Sequence, residues 1–409
     1  MKKTLTVLTM TMILVTFSSA QWVVTSGPFG GAVRSLVANG SLLFAGTDGV
    51  GVSSTTNGGT NWAPLNSGLP SNPSVQCLLS VGANLYTGIA TQGVYLSTNN
   101  GTSWTAVNTG LTNFYVKALA AIGGNLFAAT YGGVFLSTNA GTTWAAVNNG
   151  LTNTTVMSLV ASGTTLLAGT DGGGVFVSTN NGTNWTASNS GFPSPATTTV
   201  HCLLVNGSNV FAGYHRGVVL TTNNGSTWTT INTGFPNATI NVMSLVASGS
   251  NLFAATSGSG VYRSTNNGAN WSTFSTGLSN MTIMSITVVG SELYAGTFGS
   301  GVWRILVPTS VKEVVSTSPA SFALEQNYPN PFNPTTNIRF SVQVSGLVVL
   351  KVFNLLGSEV ATLVNENLNA GSYETTFAAG SVNGLASGTY FYRLQSGASV
   401  QTKKLVLMK

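Results

Sequence analysis

S-T-N-N-G-T-S-W, from Ser97 to Trp104, is one of six copies of a single eight-residue phrase. The others are T-T-N-G-G-T-N-W ending at Trp62, S-T-N-A-G-T-T-W at Trp144, S-T-N-N-G-T-N-W at Trp185, T-T-N-N-G-S-T-W at Trp228 and S-T-N-N-G-A-N-W at Trp271. Successive tryptophans are 42, 40, 41, 43 and 43 residues apart. A period of this length, filled with short apolar runs and Gly-rich turns, predicts a β-propeller in which each repeat is one blade.

Each repeat divides into four pieces. In the third they are V-K-A-L-A-A-I from Val116, N-L-F-A-A-T from Asn125, G-V-F-L-S-T from Gly133 and W-A-A-V-N from Trp144. Apolar runs of four to seven residues, bounded by turn residues, predict consecutive antiparallel strands. The first two pieces are apolar at nearly every position, which predicts burial on both faces. The first piece starts at Val33, Val75, Val116, Val156, Val200, Val242 and Ile283, which makes seven repeats against six phrases. W-V-V-T-S-G-P at Trp22 resembles W-A-P-L-N-S-G-L-P at Trp62. The strand at Trp22 is therefore expected to complete the last blade, closing the ring and removing two sheet edges. Within the phrase, the third-position Asn can accept backbone N–H bonds in an Asx turn, and the Gly two residues later permits positive φ. The closing Trp can bury about 200 Å² between blades, a gross gain of roughly 5 kcal/mol.

Charged residues make up only 5% of the 409-residue chain, so Asn, Thr and Ser must carry its solubility. The net charge of +6 reflects few acids rather than a basic patch. No basic run interleaves with aromatics, which argues against nucleic acid as a partner. Lys2 and Lys3, an apolar run from Thr4 to Phe17 and Ser18-Ser19-Ala20 read as an export signal over residues 1–20, with Gln21 as the expected mature start. No later apolar run reaches 18 residues, so no transmembrane helix is expected. Cys77 and Cys202 occupy the place held elsewhere by Ser35, Ala118, Ser158, Ser244 and Ser285. They belong to non-adjacent blades and are expected to be free thiols.

The repeated phrase resembles the Asp-box, or BNR repeat, of pattern S-x-D-x-G-x-T-W, with every Asp replaced by Asn. The resemblance covers residues 21–307 and implies a propeller of the sialidase, sortilin and xyloglucanase type. It implies fold rather than activity, because the box lies away from the family's active sites. A linker is expected over 308–321. Beyond it, F-A-L-E-Q-N-Y-P-N-P-F-N-P from Phe322, N-L-L-G-S-E-V, A-G-S-Y, L-A-S-G-T-Y-F-Y-R-L and a basic-apolar tail resemble the type A sorting domain of the type IX secretion system. The residues carrying that match include Pro329, Pro331, Gly357, Gly388, Tyr390, Lys403 and Lys404. The resemblance spans residues 322–409 and implies a small Ig-like β-sandwich, the type IX machinery as partner, and release from or attachment to the cell surface.

Catalytic groups are scarce. The propeller's acids are Asp48, Asp171 and Glu292, and its histidines His201 and His215. Its arginines are spread over several blades, unlike a sialidase cluster. Asp48 and Asp171 share a face but belong to the first and fourth repeats, about 20 Å apart on strand-spacing grounds, too far for a glycosidase pair. Both suit Asp–Gly turns. No cofactor motif or metal-ligand spacing is present. The repeats differ most in the hairpins between second and third strands. Those hairpins are expected to bring Asp48, Tyr131, Asp171, Tyr214, His215, Arg216 and Phe298 to one surface able to capture carbohydrate or protein. A binding module is thus the leading expectation. A divergent glycan hydrolase and a passive envelope protein are the alternatives.

Overall fold

The computed structural model describes residues 21–237, 239–249, 251–307, 312–315, 319, 321–379 and 385–408. The expected export signal lies outside them. Among the described residues there is no α-helix, and the strands up to Leu306 form seven four-stranded antiparallel sheets. The first is made by Val33–Asn39, Leu42–Thr47, Gly51–Thr55 and Ala63–Pro64, each pairing with the next. Five sheets repeat that order. In the remaining one, Val23–Val24 pairs with Val302–Leu306, placing Val23 opposite Arg304 and Val24 opposite Trp303. The first strands of neighbouring sheets touch one another all round, and Val33–Asn39 touches Ile283–Val289 to complete the circle. This is a closed propeller whose first strands line a central channel.

That position corrects the expectation of two fully buried strands. The second strands are buried nearly throughout, whereas most residues of the first strands are half-buried because one of their faces looks into the channel.

The phrase forms the turn between third and fourth strands. In the third repeat the Ser137 hydroxyl donates to Asn139 Oδ1 (2.9 Å) and accepts the Gly141 amide (2.8 Å). Asn139 Oδ1 also accepts the Thr143 amide at 2.9 Å. Two consecutive residues are left-handed, Ala140 at φ 55° and Gly141 at φ 88°. Asn or Gly holds the first of these positions in the other five copies, and Ala tolerates it poorly. Ala140→Asn is expected to stabilise the protein by about 0.5–1 kcal/mol, raising its Tm by about 2 °C; a thermal melt that shows no rise would contradict a strained turn.

Each indole reaches back to the preceding blade. Trp104, Trp144, Trp185, Trp228 and Trp271 donate Nε1–H to the carbonyls of Leu65, Val107, Val147, Ser188 and Ile231 at 2.7–2.8 Å. Trp22 does the same to Phe274 O at 2.6 Å, so the N-terminal strand supplies the seventh indole. Trp62 is the exception. It is half-buried and donates to the Thr25 hydroxyl at 3.2 Å, because the segment after Trp22 is one residue shorter than its counterparts.

The C-terminal region is a β-sandwich of two four-stranded sheets sharing one core, with Phe332, Ile338, Leu350, Phe377 and Tyr392 at its centre. Part of the expected linker belongs to it. Lys312–Val315 pairs with the strand Gly371–Ala378 as an edge strand, as the two β-branched valines of K-E-V-V favour. The linker is correspondingly shorter than residues 308–321.

Candidate functional site: the hairpin face and the channel mouth

Strand order places two sets of turns at opposite ends of the ring. The hairpins between second and third strands lie where the first strands begin, since Thr47 pairs with both Val33 and Gly51. The Trp-bearing turns lie at the other end. At the hairpin end every first strand slips register by one residue directly after its opening Val or Ile. Such a slip re-aims a side chain. Here it turns Arg34, Gln76, Lys117, Met157, His201, Met243 and Met284 onto the wall of a channel of about 340 Å³. The next residue in each strand packs against the adjacent strand and must be small. Ser285 Oγ donates to Val33 O at 2.8 Å, and Ser35 Oγ accepts the Leu78 amide at 3.0 Å. Cys77 and Cys202 occupy these places as free thiols. Burial pushes both thiols up to about 12, which disfavours the thiolate.

The expected surface residues do not all reach the surface. Tyr131 is 39% exposed and stacks on Tyr115, with ring centroids 4.2 Å apart and planes 9° from parallel. Phe298 is 58% exposed. Asp171 and Arg216 are exposed, and Asp48 and His215 are half-buried. Tyr214 is a correction. It is 2% exposed and packs against Phe192 in a cluster shared with the preceding blade. It terminates its second strand at the register of Thr47, Ile89, Thr130, Thr170, Thr256 and Thr297, all fully buried. Strand alternation points this position between blades, so the aromatic ring replaces a buried threonine. Two exposed aromatics were not anticipated, Phe29 and Phe114. Both come from the connections between blades. Phe29 lies against Gly301, and Phe114 O accepts the Gly93 amide at 3.1 Å.

Both aspartates are held by hydrogen bonds. Arg34 holds Asp48 Oδ2 through Nη2 (2.7 Å) and Nε (3.1 Å). Hydrogen bonds from Ser74 and Arg34 hold the carboxyl below the ordinary carboxylate range. Asp171 Oδ1 accepts the Thr199 hydroxyl, and its carbonyl accepts Asn153 Nδ2 at 2.8 Å. The third acid does meet a tyrosine and an arginine. Glu292 accepts the Tyr294 hydroxyl and Arg304 Nη1 (2.8 Å). This trio lies at the opposite end, under the first Trp-bearing turn, where a Cβ on Gly58 would come within 2.7 Å of Arg304 Nη1. It braces the junction of last and first blades. Among the described residues no three His, Cys, Asp or Glu side chains converge on a metal position.

His201 is held below the ordinary histidine value by burial and then by the charge of His215, with Lys117 acting the same way and Asn241 and Asp171 opposing. Burial and Arg216 depress His215 too. The unfolded chain therefore binds these protons first. Their contribution to stability is complete above the unfolded value near 6.5 and is lost as pH falls toward the depressed folded values. Urea midpoints are expected to fall between pH 7 and pH 5, and to fall less in His201→Gln; equal declines would place His201 outside this effect.

In the sandwich, Pro329 and Pro331 lie in a segment pinned by Phe332, which is buried and bridges to Leu407. The Tyr392 hydroxyl donates to Glu325 O (2.7 Å) and accepts the Asn327 amide (2.8 Å). Gly357, at φ 79°, closes a turn in which Asn354 Oδ1 accepts the amides of Leu356 and Ser358. Gly388 opens the strand Gly388–Ser396, and Tyr390 donates to Ala386 O at 2.8 Å. Lys403 and Lys404 belong to the last strand, Ser399–Leu407.

Residues 326–408 match the family described as the secretion system C-terminal sorting domain. Residues 111–210 match the DUF6242 beta propeller domain. No curated protein sequence matches the chain. Among solved structures it resembles the extracellular domain of BT4673 from B. thetaiotaomicron, at 17% identity and TM-score 0.59, over 80% of this chain and 46% of that one. The chain thus spans about half the length of that relative. YCF48 bound to D1 peptide is similar at 13% identity and TM-score 0.56, over 71% of this chain and 100% of that one. The GH74 xyloglucanase from Xanthomonas campestris is similar at 13% identity and TM-score 0.56, over 94% and 75%. These likenesses show the fold alone. The chain is a β-propeller joined to a sorting domain of a secretion system. Its destination is accordingly outside the cell or on the outer surface, and no helix among the described residues is long and apolar enough to cross a membrane.

Proposed function

We propose that residues 1–20 are removed on export, that 21–307 form an Asp-box-type propeller, and that the type IX machinery recognises 322–409. At the surface the propeller captures a carbohydrate or protein ligand through its hairpin face and does not transform it. The observation carrying this reading is the exposure of Phe29, Phe114, Tyr131 and Phe298 at that end, beside an aspartate already neutralised by Arg34. Exposed aromatics with few polar neighbours suit sugar faces and apolar peptide side chains. A divergent glycan hydrolase is the second reading, supported by the fold shared with the xyloglucanase. The full chain, incubated with envelope and plant polysaccharides and a peptide library, separates the two. Retention without new reducing ends, reduced roughly tenfold in Tyr131→Ala or Phe298→Ala, is the expected result. New reducing ends that persist on repurification, and that vanish in Asp171→Asn, would replace capture with hydrolysis. Absence of both would favour a passive envelope role.

A further inference from the structure

The side chains turned into the channel divide by chemistry around the ring. Arg34, Gln76 and Lys117 come from three consecutive blades, while Met157, Met243 and Met284 come from three of the other four. The Arg34 charge is met by Asp48. That of Lys117 is not. Its ammonium donates to Gln76 Oε1 at 3.0 Å, and none of the propeller's acids forms an ion pair with it among the described residues. A half-buried ammonium facing a second cation is unfavourable until an anion joins it. Opposite, three thioethers offer an apolar and adaptable wall. The volume of about 340 Å³ is that of a small-molecule site.

We infer that the channel mouth binds a small organic carboxylate with an apolar body. Its carboxylate sits among Lys117, Gln76 and Arg34, and its body lies against Met157, Met243 and Met284. The inference rests on the channel wall rather than on the exposed aromatics and stands whether or not they capture a ligand. Three thioethers and His201 are also soft-metal donors, but the Lys117 ammonium charges the same space positively and disfavours a cation. Burial and Arg34 hold Lys117 below the ordinary lysine value, with Cys77 and Asp48 opposing. A bound carboxylate would therefore be released as pH rises through that lowered value, when the ammonium loses its charge.

Isothermal titration of the full chain with hexanoate, hexan-1-ol, glucuronate and sulfate tests the assignment. Hexanoate is expected to bind at least roughly tenfold more tightly than the other three, and Lys117→Met to weaken it by roughly tenfold or more. Removing an unpaired charge favours folding of that variant. Met243→Ser should weaken hexanoate several-fold and leave sulfate unchanged, and wild-type affinity for hexanoate should fall at alkaline pH. Hexanol binding as tightly would reduce the channel to an apolar cavity. Sulfate or glucuronate binding as tightly would remove the apolar half of the site. Undiminished hexanoate binding by Lys117→Met, or no binding at millimolar concentrations, would overturn the inference outright.

Discussion

Replacing Trp144 with alanine is expected to destabilise the propeller by about 3–5 kcal/mol, the range for truncating a large buried aromatic. Trp144 is 5% exposed and lies in a cluster drawn from two blades, with Tyr86 and Val94 on one side and Leu126 and Phe135 on the other. Its removal empties the seam between blades and leaves Val107 O without its 2.8 Å donor. Trp144→Phe keeps most of the apolar area but not the donor, and should lose only about 1–2 kcal/mol. Trp62 supplies the internal control. It is half-buried and bonds only a hydroxyl, so Trp62→Ala should cost clearly less than Trp144→Ala. Urea denaturation followed by tryptophan fluorescence and circular dichroism gives the ranking. Equal losses at the two positions would mean that the indoles act through their own turn rather than across the seam.

The repeat made this architecture legible because hydropathy and turn residues recur with the period of the blade. The Trp22 strand could be read from its likeness to the segment at Trp62, and its register confirms why: Val23 and Val24 occupy the same places as Ala63 and Pro64 do against their own third strand. The role of the opening Ser or Thr was harder to read. Its hydroxyl is buried and satisfies the amide of the glycine four residues on, an interaction that the Asx-turn reading of the phrase assigned to Asn alone. The edge strand Lys312–Val315 was hidden by its position between prolines and serines.

Site residues were less legible, for reasons of direction rather than composition. Tyr214 looked like a hairpin residue because it adjoins His215 and Arg216. A one-residue count along the strand decides whether such a side chain meets water or a neighbouring blade, and at Tyr214 it meets the preceding one. The channel residues escaped notice for a similar reason. Gln76 and Lys117 sit inside apolar runs, and only the register slip at the strand start reveals that they face an open space. The sequence did hold a signal. The position after each opening Val or Ile varies from Arg to Met while its neighbours hardly change, which is how a lining position differs from a packed one.

Deleting residues 21–26 is expected to have the largest consequence of any change considered, because it reopens the ring. The loss includes Trp22, which is 2% exposed and donates to Phe274 O, and the Thr25 hydroxyl, which bonds Val302 O and Trp62 Nε1. Burial of the Trp22 ring alone is worth roughly 5 kcal/mol gross. The deletion also bares the edge of Val302–Leu306, a short strand of V-W-R-I-L composition suited to pairing with another chain. Loss of stability and self-association should therefore appear together, as an earlier urea transition and as oligomers in light scattering. Trp22→Ala separates the two effects, since it keeps the strand but not the indole. It should lower stability by about 3–5 kcal/mol and remain monomeric. Val23 pairs with Arg304 across nearly the whole propeller, so this contact carries a high closure entropy and should form late in folding. Accordingly, Trp22→Ala is expected to accelerate unfolding while leaving refolding nearly unchanged. A slowed refolding rate would instead place ring closure before the folding barrier.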